Sequence, residues 1–78
     1  MNLLDRIETN PNVMQGKPVI RGTRIPVELV LRKLSEGASE QELRESYPRL
    51  TEDDVHAALA YAAASVAHEE NLWIGTPA

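Results

Sequence analysis

The chain has 78 residues, eight Lys and Arg against twelve Asp and Glu, a net charge of −4, no cysteine and no phenylalanine. A chain this short supports one domain, since it buries only about 60% of the surface it exposes when unfolded. The composition excludes a disulfide scaffold or a thiolate metal site, and Tyr47, Tyr61 and Trp73 leave little aromatic surface for stacking on single-stranded bases. No apolar run approaches the roughly 20 residues of a membrane span. Met1-Asn2-Leu3-Leu4-Asp5 meets an acid too early for a signal sequence, so a soluble, cytoplasmic protein without membrane partners is expected.

Residues 1–25 form the first part of the chain. Arg6-Ile7-Glu8-Thr9 and Pro18-Val19-Ile20 read as short extended pieces bounded by Asn10-Pro11-Asn12 and Gly16, and Gly22 supplies the positive φ of a tight turn between Ile20 and Ile25. A hairpin this small needs a helix face or another subunit to rest on. The segment Gly16–Val27 holds Lys17, Arg21 and Arg24 and no acid. Up to residue 27 the chain carries Arg6, Lys17, Arg21 and Arg24 against Asp5 and Glu8, and after it four cations against ten acids. Contact with a polyanion must therefore come from this arm, because such binding rests on Lys and Arg neutralising phosphates.

Residues 26–70 read as helical. Pro26 suits a first helical turn, and Val27, Val30, Leu31 and Leu34 follow at i, i+3, i+4 and i+7. Gly37 stands where a left-handed residue ends a helix, and Ser39-Glu40-Gln41-Glu42 has the form of a capping box opening a short second helix that stops before Pro48. Thr51 caps a third helix whose first turn, Glu52-Asp53-Asp54, suits the helix dipole. Val55, Ala58, Leu59, Ala62, Ala63 and Val66 are expected to face the core. Ala57, Ala60, Tyr61, Ala64 and Ala67 leave the other side apolar too, which calls for cover on more than one side. A homodimer pairing through Ala60, Tyr61, Ala64 and Ala67 supplies it; an exposed helix stabilised by alanine propensity is the alternative.

The expected fold is thus mainly α, a three-helix, helix-turn-helix (homeodomain-like) bundle with a short N-terminal β arm. Reading of DNA bases by the third helix is not expected, because Thr51–Glu70 contains five acids and neither Lys nor Arg. Catalysis finds no support. Asp53 and His56 share a helix face but fall short of three or four converging metal ligands, His68 sits beside Glu69 and Glu70, and no serine has a nucleophile context. Neither a metal nor a cofactor is expected.

The stretches Gly16-Lys17-Pro18-Val19-Ile20-Arg21-Gly22-Thr23-Arg24-Ile25-Pro26-Val27, Glu36-Gly37-Ala38-Ser39, Tyr47-Pro48-Arg49-Leu50-Thr51 and Ala57–Ala62 resemble domain-of-unknown-function family 433 over roughly residues 5 to 68. The resemblance implies a homeodomain-like helical fold with a β arm. It also implies an antitoxin of the VapB kind, the partner of a PIN-like ribonuclease toxin encoded nearby.

The last stretch, residues 71–78, carries Leu72, Trp73 and Ile74. Three large apolar residues at a terminus either fold back on the core or a dimer mate, or dock on a partner. The expectation is a non-enzymatic binding protein that neutralises a toxin, with Lys17, Arg21, Thr23 and Arg24 as contacts to toxin or nucleic acid. The alternatives are a dimeric DNA-binding regulator that holds operator DNA with its basic arm, and a purely structural dimerisation domain.

Overall fold

A computed structural model of the chain describes residues 2–73, with side chains described through Ala67. The protein is mainly helical, with three helices and a two-stranded antiparallel β hairpin at its N-terminus. A 3-10 turn over Leu3–Arg6 leads into β1 (Ile7–Glu8), which pairs with β2 (Val19–Ile20) in the register Ile7 to Ile20 and Glu8 to Val19. The strands fall inside the expected extended pieces. Between them, Met14, Gln15 and Gly16 take positive φ of 51°, 58° and 84° in succession, a left-handed turn that returns the chain toward β1.

After β2 the chain reverses tightly. Gly22 takes φ +78°, Thr23 N–H donates to Ile20 O at 3.0 Å, and Ile20 N–H donates to Ile25 O at 2.9 Å. The Thr23 hydroxyl closes the turn by donating to Ile20 O at 2.7 Å and accepting from Ile25 N–H at 3.0 Å. Pro26 stays extended (φ −67°, ψ 144°) and bridges to Val19, so the first helix, α1 (Val27–Ser35), begins one residue after the proline instead of on it.

α1 ends at Ser35 with Glu36 as its C-cap, and Gly37 takes φ +101° as expected after it. Ser39 and Glu42 form the reciprocal capping box of α2 (Glu40–Ser46): Glu42 N–H donates to Ser39 Oγ at 3.1 Å, and Ser39 N–H donates to Glu42 Oε1 at 2.9 Å. These bonds hold the Glu42 carboxyl below its ordinary range, the backbone donor of Ser39 contributing most. The last helix, α3 (Glu52–Trp73), opens on a second reciprocal cap in which Asp54 N–H donates to Thr51 Oγ1 and Thr51 N–H donates to Asp54 Oδ2, both at 3.1 Å. Its backbone runs on through Trp73, beyond the expected end at residue 70, since no glycine or proline intervenes before Gly75.

The core joins the arm to all three helices: Ile20, Val27, Val30, Leu43, Leu50, Val55 and Ala58 form one buried cluster, with Ile7, Ile25, Leu31, Leu34, Tyr47 and Tyr61 packed against it. β2 is central to it, Val19 and Ile20 being fully buried. The expected inner face of α3 needs correction. Val55 and Ala58 are buried as anticipated, together with Asp54 and Ala57, but Ala63 is exposed, Leu59 is 46% exposed and Val66 is 51% exposed. The cause is the 3-10 turn at Leu3–Arg6, which packs along the start of α3 and draws the Asp54 and Ala57 side of the helix inward. Leu59 is left on the flank.

Candidate binding surface

The cations of the arm do not converge. Arg6 is consumed by the fold: its Nη1 donates to the buried Asp54 Oδ1 at 3.2 Å and its Nη2 to Asp53 Oδ2 at 3.4 Å, which pins the arm to the first turn of α3. Asp54 thereby has a partner for each carboxylate oxygen, as a buried charge requires. Arg21, just after β2, reaches across to the 3-10 turn and β1, with Nε donating to Asp5 O at 2.7 Å and Nη1 3.9 Å from Glu8 Oε2, although its side chain stays 60% exposed.

Arg24 has a different setting. It lies on the exposed side of the Gly22 turn and lines a pocket of about 500 Å³ together with Val13, Gly22, Thr23, Ile25 and Arg49. Arg49 comes from the turn between α2 and α3, and its Nη1 donates to Gly22 O at 3.3 Å, which holds it against the arm. Two arginines from distant parts of the chain thus line one concavity that has no carboxylate in its lining. Among the described residues, neither arginine is within ion-pair distance of an acid. Such a pair is suited to carboxylate or phosphate oxygens, which the planar guanidinium meets with two parallel hydrogen bonds.

Lys17 borders a second concavity, a groove of about 460 Å³ lined chiefly by apolar surface between the start of α1 and the middle of α3. Pro18, Pro26, Leu31, Tyr61, Ala62 and Val66 form its walls. Of the residues expected at a dimer interface, Ala60 and Tyr61 are half-buried, and Ala64 and Ala67 are exposed. Tyr61 therefore belongs both to the edge of the core and to the groove. Of the expected partner-binding tail, the side chains of Leu72 and Trp73 and the whole of Ile74 lie outside the described residues.

Arg49 is the functional candidate that sequence reasoning passed over. Its signal was a cation in an exposed interhelical turn, but nothing in the spacing says that this turn lies against Gly22, 27 residues earlier. Among the described residues, no helix is long and apolar enough to cross a membrane.

Residues 7–62 match the family described as "Protein of unknown function (DUF433)". The chain belongs to the DUF433 family. A DUF433 member from Anabaena variabilis, solved as a crystal structure, superposes with a TM-score of 0.74 at 35% identity, covering 85% of this chain and 65% of that one. A Sinorhizobium fredii relative bearing the name "Uncharacterized protein y4eO" is 34% identical over 59 residues, which are 76% of this chain and 27% of the relative. This chain thus spans about a quarter of the length of that relative, and the DUF433 match covers residues 7–62 of the chain. It takes in the hairpin, the Gly22 turn, Arg24, Arg49 and the first half of α3.

Proposed function

We propose that this DUF433 chain is a non-enzymatic, cytoplasmic binding protein of the VapB antitoxin kind, which neutralises a PIN-like ribonuclease by placing Arg24 and Arg49 against that enzyme's acidic active site. The observation that carries the reading is the pocket between the Gly22 turn and the α2–α3 turn, which two arginines line and which, among the described residues, holds no ion pair to either of them. A metal-dependent nuclease gathers carboxylates around its ions, and an arginine pair complements that charge while filling the space of the metal. The three helices act as a helix-turn-helix-like scaffold that presents this edge. Two copies associate through the exposed apolar side of α3 near Ala60, Tyr61, Ala64 and Ala67, so that one particle offers two such edges.

The test is coexpression with the protein encoded next door, followed by a pull-down and a ribonuclease assay. The wild-type chain co-purifies with the nuclease and inhibits it. The double variant Arg24→Glu/Arg49→Glu keeps its helical circular dichroism and loses inhibition by at least about 100-fold, in line with the 2–5 kcal/mol that removing one side of a buried charge pair costs. A different result supports the regulator reading: no complex with the nuclease, but binding to upstream DNA that weakens steeply with salt and is lost in the same double variant.

A further inference from the structure

The start of α3 and the start of α2 bring three potential metal ligands together. Glu52 and His56 stand one helical turn apart, and Glu40, the first residue of α2, approaches them from the neighbouring helix, so that one ligand atom from each residue lies within 4.8 Å of the other two. One oxygen of Glu40 gives an independent sign: Oε1 is shut off from solvent and has no hydrogen-bond partner among the described residues. A carboxylate oxygen in that condition carries a desolvation penalty that a bound cation removes.

We propose that Glu40, Glu52 and His56 bind a divalent transition-metal ion of the zinc class, which fastens the start of α2 to the start of α3. The donor set selects the ion. Imidazole nitrogen with two carboxylate oxygens suits Zn²⁺ and its neighbours, whereas Mg²⁺ and Ca²⁺ prefer oxygen donors throughout. Ligand bonds of about 2.0–2.1 Å in a tetrahedral arrangement place donor atoms about 3.4 Å apart. Glu52 and His56 are exposed and Glu40 is half-buried, so the two exposed side chains are the ones that would have to move to close the present separations. With three protein ligands, one position is left for water or for a donor from a partner. The site lies on residues that take no part in the arginine pocket, so it stands or falls separately from the reading above.

The experiment is a calorimetric titration of the full chain, first stripped with chelator, with Zn²⁺, alongside the visible spectrum of the Co²⁺-loaded protein and thermal melts with and without Zn²⁺. Expected are one equivalent bound with a micromolar or tighter Kd, a Co²⁺ spectrum of low coordination number, and a melting temperature raised by saturating Zn²⁺. Glu40→Gln and His56→Ala each weaken binding at least tenfold, while His68→Ala leaves it unchanged. Should Glu40→Gln disturb the fold, Glu52→Gln at an exposed position carries the same comparison. Binding weaker than millimolar, binding that survives both His56→Ala and Glu52→Gln, or loss of binding in His68→Ala overturns the proposal.

Discussion

The two halves of α3 meet opposite fates, and the half that opens on the acids Glu52, Asp53 and Asp54 is the one that is buried. From Glu52 to Ala58 the helix is capped, ion-paired to Arg6 and sunk into the core through Asp54, Val55, Ala57 and Ala58. From Leu59 to Ala67 it carries Leu59 and Val66 about half exposed, and Ala63, Ala64, Ser65 and Ala67 on the surface. Apolar composition did not decide which half is buried. The 3-10 turn, the hairpin and α1 cover the near half, leave Ala60, Tyr61 and Ala62 half-buried and then run out, because a helix of 22 residues, about 33 Å long, outreaches the arm and the two short helices beside it. A helix apolar all round needs cover wherever it runs, and among the described residues the far half has little, which is why the proposed self-association is placed there.

Substitutions sort the two halves by size of effect. Ile20→Ala, in the cluster beneath the near half, should cost about 2–4 kcal/mol in denaturant unfolding, as truncation of a fully buried isoleucine does. Asp54→Ala should come next, at about 1–3 kcal/mol, because it strands the Arg6 guanidinium and opens the cap on Thr51. Leu59→Ala and Val66→Ala should each stay within about 0.5 kcal/mol in dilute protein while weakening self-association at high concentration. A loss of 2 kcal/mol or more in dilute Leu59→Ala protein would place the far half inside the monomer's core, by the ordinary price of a buried leucine.

The smallest expected effect lies outside α3, in the capping box of α2. The Glu42 carboxyl is lowered below its ordinary value of 4.5 by its bonds to Ser39, so its contribution to stability is complete above the unfolded value and fades as the pH falls through the lowered folded value. Comparing wild type with Glu42→Gln between pH 6 and pH 3 should show the difference narrowing on the acid side of about pH 4.5. A difference that widens there would reverse the sign of the assignment.

What the sequence made legible was local. Ser39 with Glu42, Thr51 before three acids, Gly37 after Leu34 and Gly22 between Ile20 and Ile25 each carry their conformational instruction within four or five residues, and all four appear as expected. The family resemblance was legible too, through the Gly16–Val27 stretch. What escaped was non-local. The Leu3–Arg6 turn has no periodicity long enough to register, yet it rotates the buried face of α3. An alanine-rich helix offers similar hydrophobicity at every angle, so its pattern could not correct the error. The same limit hid the Arg24 and Arg49 pocket and the approach of Glu40 to His56, which depend on how distant turns and helix ends meet in space.

Amide hydrogen exchange along α3, followed over a series of protein concentrations, tests the contrast between its halves most directly. The account predicts slow exchange from Val55 to Ala58 at every concentration, and from Leu59 to Ala67 exchange that is fast in dilute protein and slows as copies associate. Protection of the far half that equals the near half in dilute monomer, or that never rises with concentration, would contradict it.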